Sequence, residues 1–222
     1  VDGSKFYMNA PAANRWVELP LPGRHNVLNG LAAASVGFAL GLTPKTIVDG
    51  LASVHTVQGR LQRVQSEQRK VFIDYAHTSD ALSKLLKSCK EMALAAEGKL
   101  VVVFGCGGDR DRTKRPRMGK TAAETADLCY VTSDNPRSED PLAIIDDILQ
   151  GMEDLERKAA VIVPDRLEAI KRAILESSEK DIVVIAGKGH EDYQIIGEKV
   201  IDFDDFVEAT KIVKELESGD GS

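Results

Sequence analysis

Leu100-Val101-Val102-Val103-Phe104 runs straight into Gly105-Cys106-Gly107-Gly108-Asp109-Arg110-Asp111. An apolar run without polar alternation reads as a strand buried on both faces, the pattern of a parallel sheet. Glycines after a strand let the backbone approach a ligand closely, and their N–H groups can cradle an anion. Three more apolar runs end in the same manner: in Asp74-Tyr75-Ala76-His77-Thr78, in Asp134-Asn135-Pro136-Arg137, and in Ala186-Gly187-Lys188-Gly189-His190-Glu191-Asp192. In parallel α/β sheets, ligands bind just beyond the carboxyl ends of the strands. Four polar segments at four strand ends therefore predict one composite site along one sheet edge.

Working outward, strands are expected over 100–104, 128–132, 160–163 and 182–186. They alternate with helices over 116–126, 141–155, 166–177 and 204–216. Segments 61–64 and 71–74 read as paired strands, 79–95 as a helix, and the turn at Gly197 as an edge hairpin. Asp140-Pro141 and Asp165-Arg166-Leu167-Glu168 read as helix starts. The class is α/β, a Rossmann-like, mostly parallel sheet flanked by helices. Before residue 59 the pattern differs. Residues 1–22 suggest a strand or two with a Pro-rich exit, and 23–42 a turn and a helix of small residues. Thr43-Pro44 opens a helix with the apolar stripe Ile47, Val48, Leu51 and Val54. Residues 1–58 are too few to bury a core alone. The expected division is 1–58 and 59–222, with the tail 218–222 disordered.

The chain has 222 residues, of which 43% are apolar, enough for a globular core. A net charge of −6 argues against a general nucleic-acid binder. The longest apolar stretch, 28–42, is interrupted by Asn, Ser and Gly and is too short for a bilayer. With no signal pattern and three cysteines in no CxxC arrangement, a reduced cytoplasm is the expected home. Arg110, Arg112, Lys114, Arg115, Arg117 and Lys120 crowd one segment against Asp109 and Asp111. Such a run suits a small anion, though by itself it reads more readily as a solvated basic loop.

Arg137 offers a planar, permanently charged fork for a carboxylate or phosphate; the same four residues also suit an Asx-turn with an exposed arginine. Glu191 can receive an ammonium group. A metal at His190-Glu191-Asp192 is disfavoured, because no His-Glu-x-x-His spacing is present. Asp74 can hold ribose hydroxyls and His77 can touch a phosphate, although a loop histidine is more often structural. Cys106 has no base beside it in the sequence and is read as a bystander. Arginines for anions and a glutamate for a cation fit an amino acid better than a sugar or a nucleic acid.

These segments, with Leu21-Pro22-Gly23-Arg24-His25-Asn26-Val27 and Thr132-Ser133-Asp134-Asn135-Pro136-Arg137-Ser138-Glu139-Asp140-Pro141, resemble the Mur ligases of peptidoglycan synthesis. The branch they match best adds meso-diaminopimelate. The resemblance implies a three-domain enzyme: one domain for the UDP moiety, a central ATPase, and a C-terminal domain for the incoming amino acid. On that footing 1–58 is the C-terminal part of the central domain and 59–222 the amino-acid-binding domain. The implied diaminopimelate residues are Arg110, Asp134, Asn135, Pro136, Arg137, Gly187 and Glu191. Asn26, Arg60, Asp74 and His77 are implied for ATP. ATP and Mg2+ are the implied cofactors, and the UDP-N-acetylmuramoyl-dipeptide would bind through domains this chain does not contain. No nucleic acid or membrane partner is expected, and a monomer is.

Two features depart from the family pattern. Ser79 stands where a proline usually follows Asp-Tyr-Ala-His-Thr. No G-x-x-x-x-G-K-[ST] phosphate loop occurs in the 222 residues. Phosphoryl transfer needs that electrostatic clamp, so no ligase turnover is expected from this chain alone and no catalytic residue is assigned in it. The alternative is a non-catalytic binding or interaction module that keeps the fold. A nicotinamide oxidoreductase lacks its G-x-G-x-x-G, and Asp134–Arg137 argues against a folate-polyglutamating ligase.

Overall fold

The computed structural model describes residues 3–10 and 13–219. The chain divides into two units, residues 1–57 and 58–222. In the first, β1 (Ser4–Ala10) and β2 (Ala13–Leu19) form an antiparallel hairpin, followed by α1 (Arg24–Ala39) and α2 (Pro44–Ala52). Its core joins Met8, Val17, Leu19, Ala34, Ile47 and Leu51. Helix α1 buries Asn26, Gly30, Ala34 and Gly37. Gly37 lies against Ile47, whose Cγ1 is 3.0 Å from where a Cβ would stand, so small residues let the two helices approach closely. The Thr43 hydroxyl caps α2 by accepting from Thr46 N–H at 3.2 Å. Val54, expected on the apolar stripe, falls beyond the end of α2 and is exposed.

The second unit is built on a six-stranded sheet in the order β3-β4-β8-β5-β6-β7. Its strands are β3 (Gln62–Arg63), β4 (Lys70–Asp74), β5 (Leu100–Phe104), β6 (Leu128–Val131), β7 (Val161–Ile162) and β8 (Ile182–Ala186). Only β3 is antiparallel. Strand alternation supplies two cores. Phe72, Leu100, Val102, Phe104 and Val184 pack against α3 (Ser79–Ala95), α4 (Lys114–Thr125) and α5 (Pro141–Leu149). Val71, Ile73, Val101, Val103 and Ile185 pack against α7 (Arg166–Glu176) and α8 (Asp205–Ser218). Each fully buried Leu, Ile or Phe contributes roughly 1.5–3 kcal/mol, so the sheet is the rigid frame from which the loops project.

The helix expected over 141–155 is two helices, α5 and α6 (Asp154–Ala159). Gly151 passes so close to α4 that a Cβ there would sit 1.7 Å from the Pro116 carbonyl oxygen. Glu153 restarts the helix, its N–H donating to Glu156 Oε2 at 2.9 Å. Helix α4 starts earlier than expected, at Lys114, which places Pro116 inside its first turn, where no helical N–H is lost. The expected hairpin is β9 (Tyr193–Ile196) with β10 (Lys199–Asp202). Of the tail expected to be disordered, Ser218 ends α8 and 220–222 lie outside the described residues.

Candidate functional site

Beyond the carboxyl ends of β4, β5, β6 and β8 lies a cavity of about 480 Å3. Arg110, Asp134, Asn135, Arg137, Gly187 and Glu191 line it, with Tyr75, His77, Lys114 and Tyr193. The strand-end loops thus converge. Pro136 does not line the cavity; it is buried behind it, its carbonyl 1.9 Å from where a Cβ on Gly108 would stand. Gly187 adopts φ +119°, and a Cβ there would lie 2.8 Å from Asp134 Oδ2, so a side chain would push that carboxylate aside.

Asn135 is the hub. Its Oδ1 accepts from Ile195 N–H at 3.0 Å and from Lys188 Nζ at 3.2 Å. Its Nδ2 donates to Glu191 Oε2 at 3.1 Å, and its carbonyl accepts from Gly108 N–H at 2.9 Å. One buried residue, through its side-chain amide and its main-chain carbonyl, therefore couples three segments. Arg137 follows with φ +53°, a left-handed backbone uncommon outside glycine. Two bonds to the hairpin hold it there: its N–H donates to Ile195 O at 3.1 Å, and its carbonyl accepts from Gly197 N–H at 2.8 Å. Its guanidinium is anchored at one nitrogen, Nη1, which donates to Gly108 O at 2.8 Å.

Lys188, bracketed by glycines, suggests backbone contact with a ligand; in the fold its side chain is what matters. It is fully buried under the pocket, with Nζ 3.5 Å from Glu191 Oε2 and 5.4 Å from the centre of the Tyr193 ring. Burial lowers its amine pKa, against the opposing pull of Asp134 and Glu191. Lys188 fixes Glu191 from behind.

The basic run is largely solvated, with Arg110, Arg112, Arg117 and Lys120 exposed, but it continues into α4 and holds one buried member. Arg115 is fully buried: Nη1 and Nη2 clasp Glu139 at 2.9 and 2.8 Å, Nη1 also meets Asp147 Oδ2 at 2.9 Å, and Nη2 donates to Gly107 O at 3.2 Å. Arg112 pairs with Asp147 at 3.2 Å, Arg117 bonds to Thr113, and Lys120 meets Glu124 at 3.7 Å. Arg110 and Lys114 are the members that reach the cavity, and Lys114 Nζ donates to His77 O at 2.9 Å. Nothing in the local sequence separates Arg115 from its neighbours.

Arg115 and Asp109 N–H hold the Glu139 carboxyl down at about 2, against an ordinary 4.5. A depressed folded-state pKa contributes stability that is complete above 4.5 and is lost as pH falls toward 2. The melting temperature of the wild type is therefore expected to fall more steeply across that window than that of Glu139→Gln. Parallel melting curves for the two would remove Glu139 from the acid response.

Of the residues implied for ATP, Arg60 and His77 both pack on Tyr75, Asp74 bonds the neighbouring Leu61 backbone, and Asn26 belongs to the first unit. His77 lines the cavity, exposed, with Nδ1 2.8 Å from Tyr75 O. Arg60 lies over the Tyr75 ring at 5.1 Å. Asp74 is 8% exposed; its Oδ2 accepts from Leu61 N–H at 2.8 Å and its Oδ1 from Ala76 N–H at 2.9 Å. Its carboxylate bonds the turn before β3, where Leu61 has a positive φ, and the turn after β4. Asn26 belongs to the first unit, where Nδ2 donates to Pro22 O at 2.8 Å. Cys106 lines the cavity, but its thiol donates to Met118 Sδ at 3.6 Å and burial raises its pKa to about 12. It is no nucleophile at neutral pH. Among the described residues, no group of three or more His, Cys, Asp or Glu could hold a metal ion, and no helix is long and apolar enough to cross a membrane.

Residues 59–189 match the model of the Mur ligase glutamate ligase domain, which is more than half of the chain. The chain belongs to the Mur ligase family. This Mur ligase chain is 49% identical over 213 residues to the UDP-N-acetylmuramoyl-L-alanyl-D-glutamate–2,6-diaminopimelate ligase of Solibacter usitatus, covering 96% of itself and 42% of that relative. The enzyme of the same name from Syntrophomonas wolfei is 44% identical, with 96% and 43% covered. A solved structure of a 2,6-diaminopimelate ligase superposes with a TM-score of 0.71 at 39% identity, over 97% of this chain and 44% of that one. The chain spans less than half the length of the curated relatives it matches.

Proposed function

We propose that residues 59–222 are the amino-acid-binding domain of an ATP-dependent ligase that joins meso-diaminopimelate to UDP-N-acetylmuramoyl-L-alanyl-D-glutamate, and that 1–58 end its central ATP-binding domain. The supporting observation is that Arg110, Arg137 and Glu191 line one cavity. Two guanidinium forks suit the two carboxylates of diaminopimelate, and Asp134 and Glu191 suit its ammonium groups. A cavity of about 480 Å3 lies in the ordinary range for a small-molecule site.

In the proposed reaction the terminal carboxylate of the dipeptide takes the γ-phosphoryl group of ATP, releasing ADP and giving an acyl phosphate; Mg2+ would neutralise the phosphate charge. The free diaminopimelate amine attacks the carbonyl carbon; the new C–N bond replaces the C–O bond, phosphate leaves, and the nitrogen gives up a proton to solvent or phosphate. The role of this chain in that sequence is to present the amine. The ligands of Mg2+ are proposed to lie largely outside this chain, so no step is assigned to a metal held here. His77 at the cavity and Arg60 on Tyr75 are the residues suited to meet nucleotide phosphates. The proposed setting is cytoplasmic, where the nucleotide-linked precursor is made.

Calorimetric titration tests the reading. meso-Diaminopimelate is expected to bind the purified chain at least about tenfold more tightly than L-lysine, which leaves one guanidinium unpaired. Equal affinities, or no heat with diaminopimelate, would overturn it.

A further inference from the structure

Outside the cavity lies a second buried arginine with no obvious counterpart in solvent or ligand. Arg166, the first residue of α7, is 1% exposed. Its Nε and Nη2 clasp both oxygens of Asp205, itself fully buried at the start of α8, at 2.8 and 2.7 Å. A fully buried ion pair is weak evidence of a stabilising role, since desolvation offsets much of the attraction. The remaining donors are more telling. Nη1 donates to the carbonyl of Ser133 at 3.2 Å, and Nη2 to the carbonyl of Ala186 at 3.1 Å.

Ser133 immediately precedes Asp134, and Ala186 immediately precedes Gly187. These carbonyls stand where β6 and β8 give way to the two pocket loops. In the sheet, β6 and β8 are not neighbours; β5 lies between them. No ladder bond joins β6 to β8 directly; each is tied through β5, and the guanidinium adds a direct link between the two loop origins. The arginine's charge also acts on Asp134 and Glu191 from beneath, besides Asp205.

We propose that Arg166, held by Asp205, is a positioning residue for the amino-acid pocket: it ties the ends of β6 and β8 and so fixes the spacing of the Asp134–Arg137 and Gly187–Glu191 loops. The ligand part of this inference rests on the function proposed above; the geometric part does not. Planarity is essential. A guanidinium can reach one carboxylate and two carbonyls at once, whereas an ammonium is a point donor.

Two variants separate positioning from simple stability. Arg166→Met combined with Asp205→Leu removes both charges, which a buried pair tolerates far better than loss of one partner. Arg166→Lys keeps a cation opposite Asp205 but lacks the fork. Hydrogen exchange and calorimetry are measured on the full chain, with meso-diaminopimelate as the probe. In both variants, the amides of Asn135, Arg137 and 187–191 are expected to exchange at least about tenfold faster while those of β5 keep wild-type protection. Diaminopimelate affinity is expected to fall about tenfold or more. Unchanged loop exchange and affinity in either folded variant would overturn the proposal; should the double variant not fold, Arg166→Lys decides. If wild-type protein fails to bind diaminopimelate, the proposed function falls, and loop exchange alone still decides the clamp.

Discussion

Arg137→Ala is expected to weaken meso-diaminopimelate binding by between about tenfold and more than a hundredfold, far more than it weakens lysine binding. The reason is the distal carboxylate, which lysine lacks. A charge-assisted hydrogen bond contributes about 1.5–3 kcal/mol, and lysine offers the guanidinium no distal carboxylate with which to make it. The same side chain also braces the pocket through Gly108 O, so a general loosening could lower both affinities. The ratio of the two losses is therefore the quantity to measure. Arg137→Gly provides the control. It removes the same guanidinium but relaxes the left-handed backbone, so it should be more stable than the alanine variant by about 1 kcal/mol with the same discrimination. Equal losses for both amino acids would sink the assignment of Arg137 to the distal carboxylate.

Arg115→Met is expected to cost about 3 kcal/mol of stability in denaturant unfolding, toward the lower end of the range for breaking a buried ion pair. Glu139 and Asp147 are 22% and 23% exposed, so part of their lost pairing can be replaced by water. What water cannot replace is the geometry. Arg115 holds Gly107 O directly, and through Glu139 it holds Asp109 N–H at 2.6 Å. Adding Glu139→Gln to Arg115→Met should recover part of the loss, because one uncompensated carboxylate disappears. A cost below about 0.5 kcal/mol, the level of an ordinary surface change, would show that the triad contributes little.

Local physics was enough for much of the architecture. Runs such as Val101–Val103 and Val183–Ile185 are apolar at every position because both faces are covered, and this is visible without any fold. Thr43, Asp140 and Asp165 announce helix starts because a cap bonds to an N–H two or three residues away. The requirement for glycine at 151 was not legible, since it comes from the carbonyl of Pro116, on another helix.

The candidate site divides along the same line. That Asp74–Thr78, Gly105–Asp111, Asp134–Arg137 and Gly187–Asp192 share one sheet edge follows from the chain alone, because each follows a buried parallel strand. What each side chain does there is a different matter. Arg110 and Arg115 are five residues apart and chemically identical, yet one is exposed at the cavity and the other is locked inside. Asp74 turns back to bind the backbone of Leu61 and Ala76, Lys188 turns inward beneath Glu191, and Arg166 finds Asp205 across 39 residues of chain. Secondary structure and strand-end position depend on neighbours a few residues away and were therefore written in the chain. The partner of a charged group is chosen by distance in space and by desolvation, and only the packed tertiary structure could decide it.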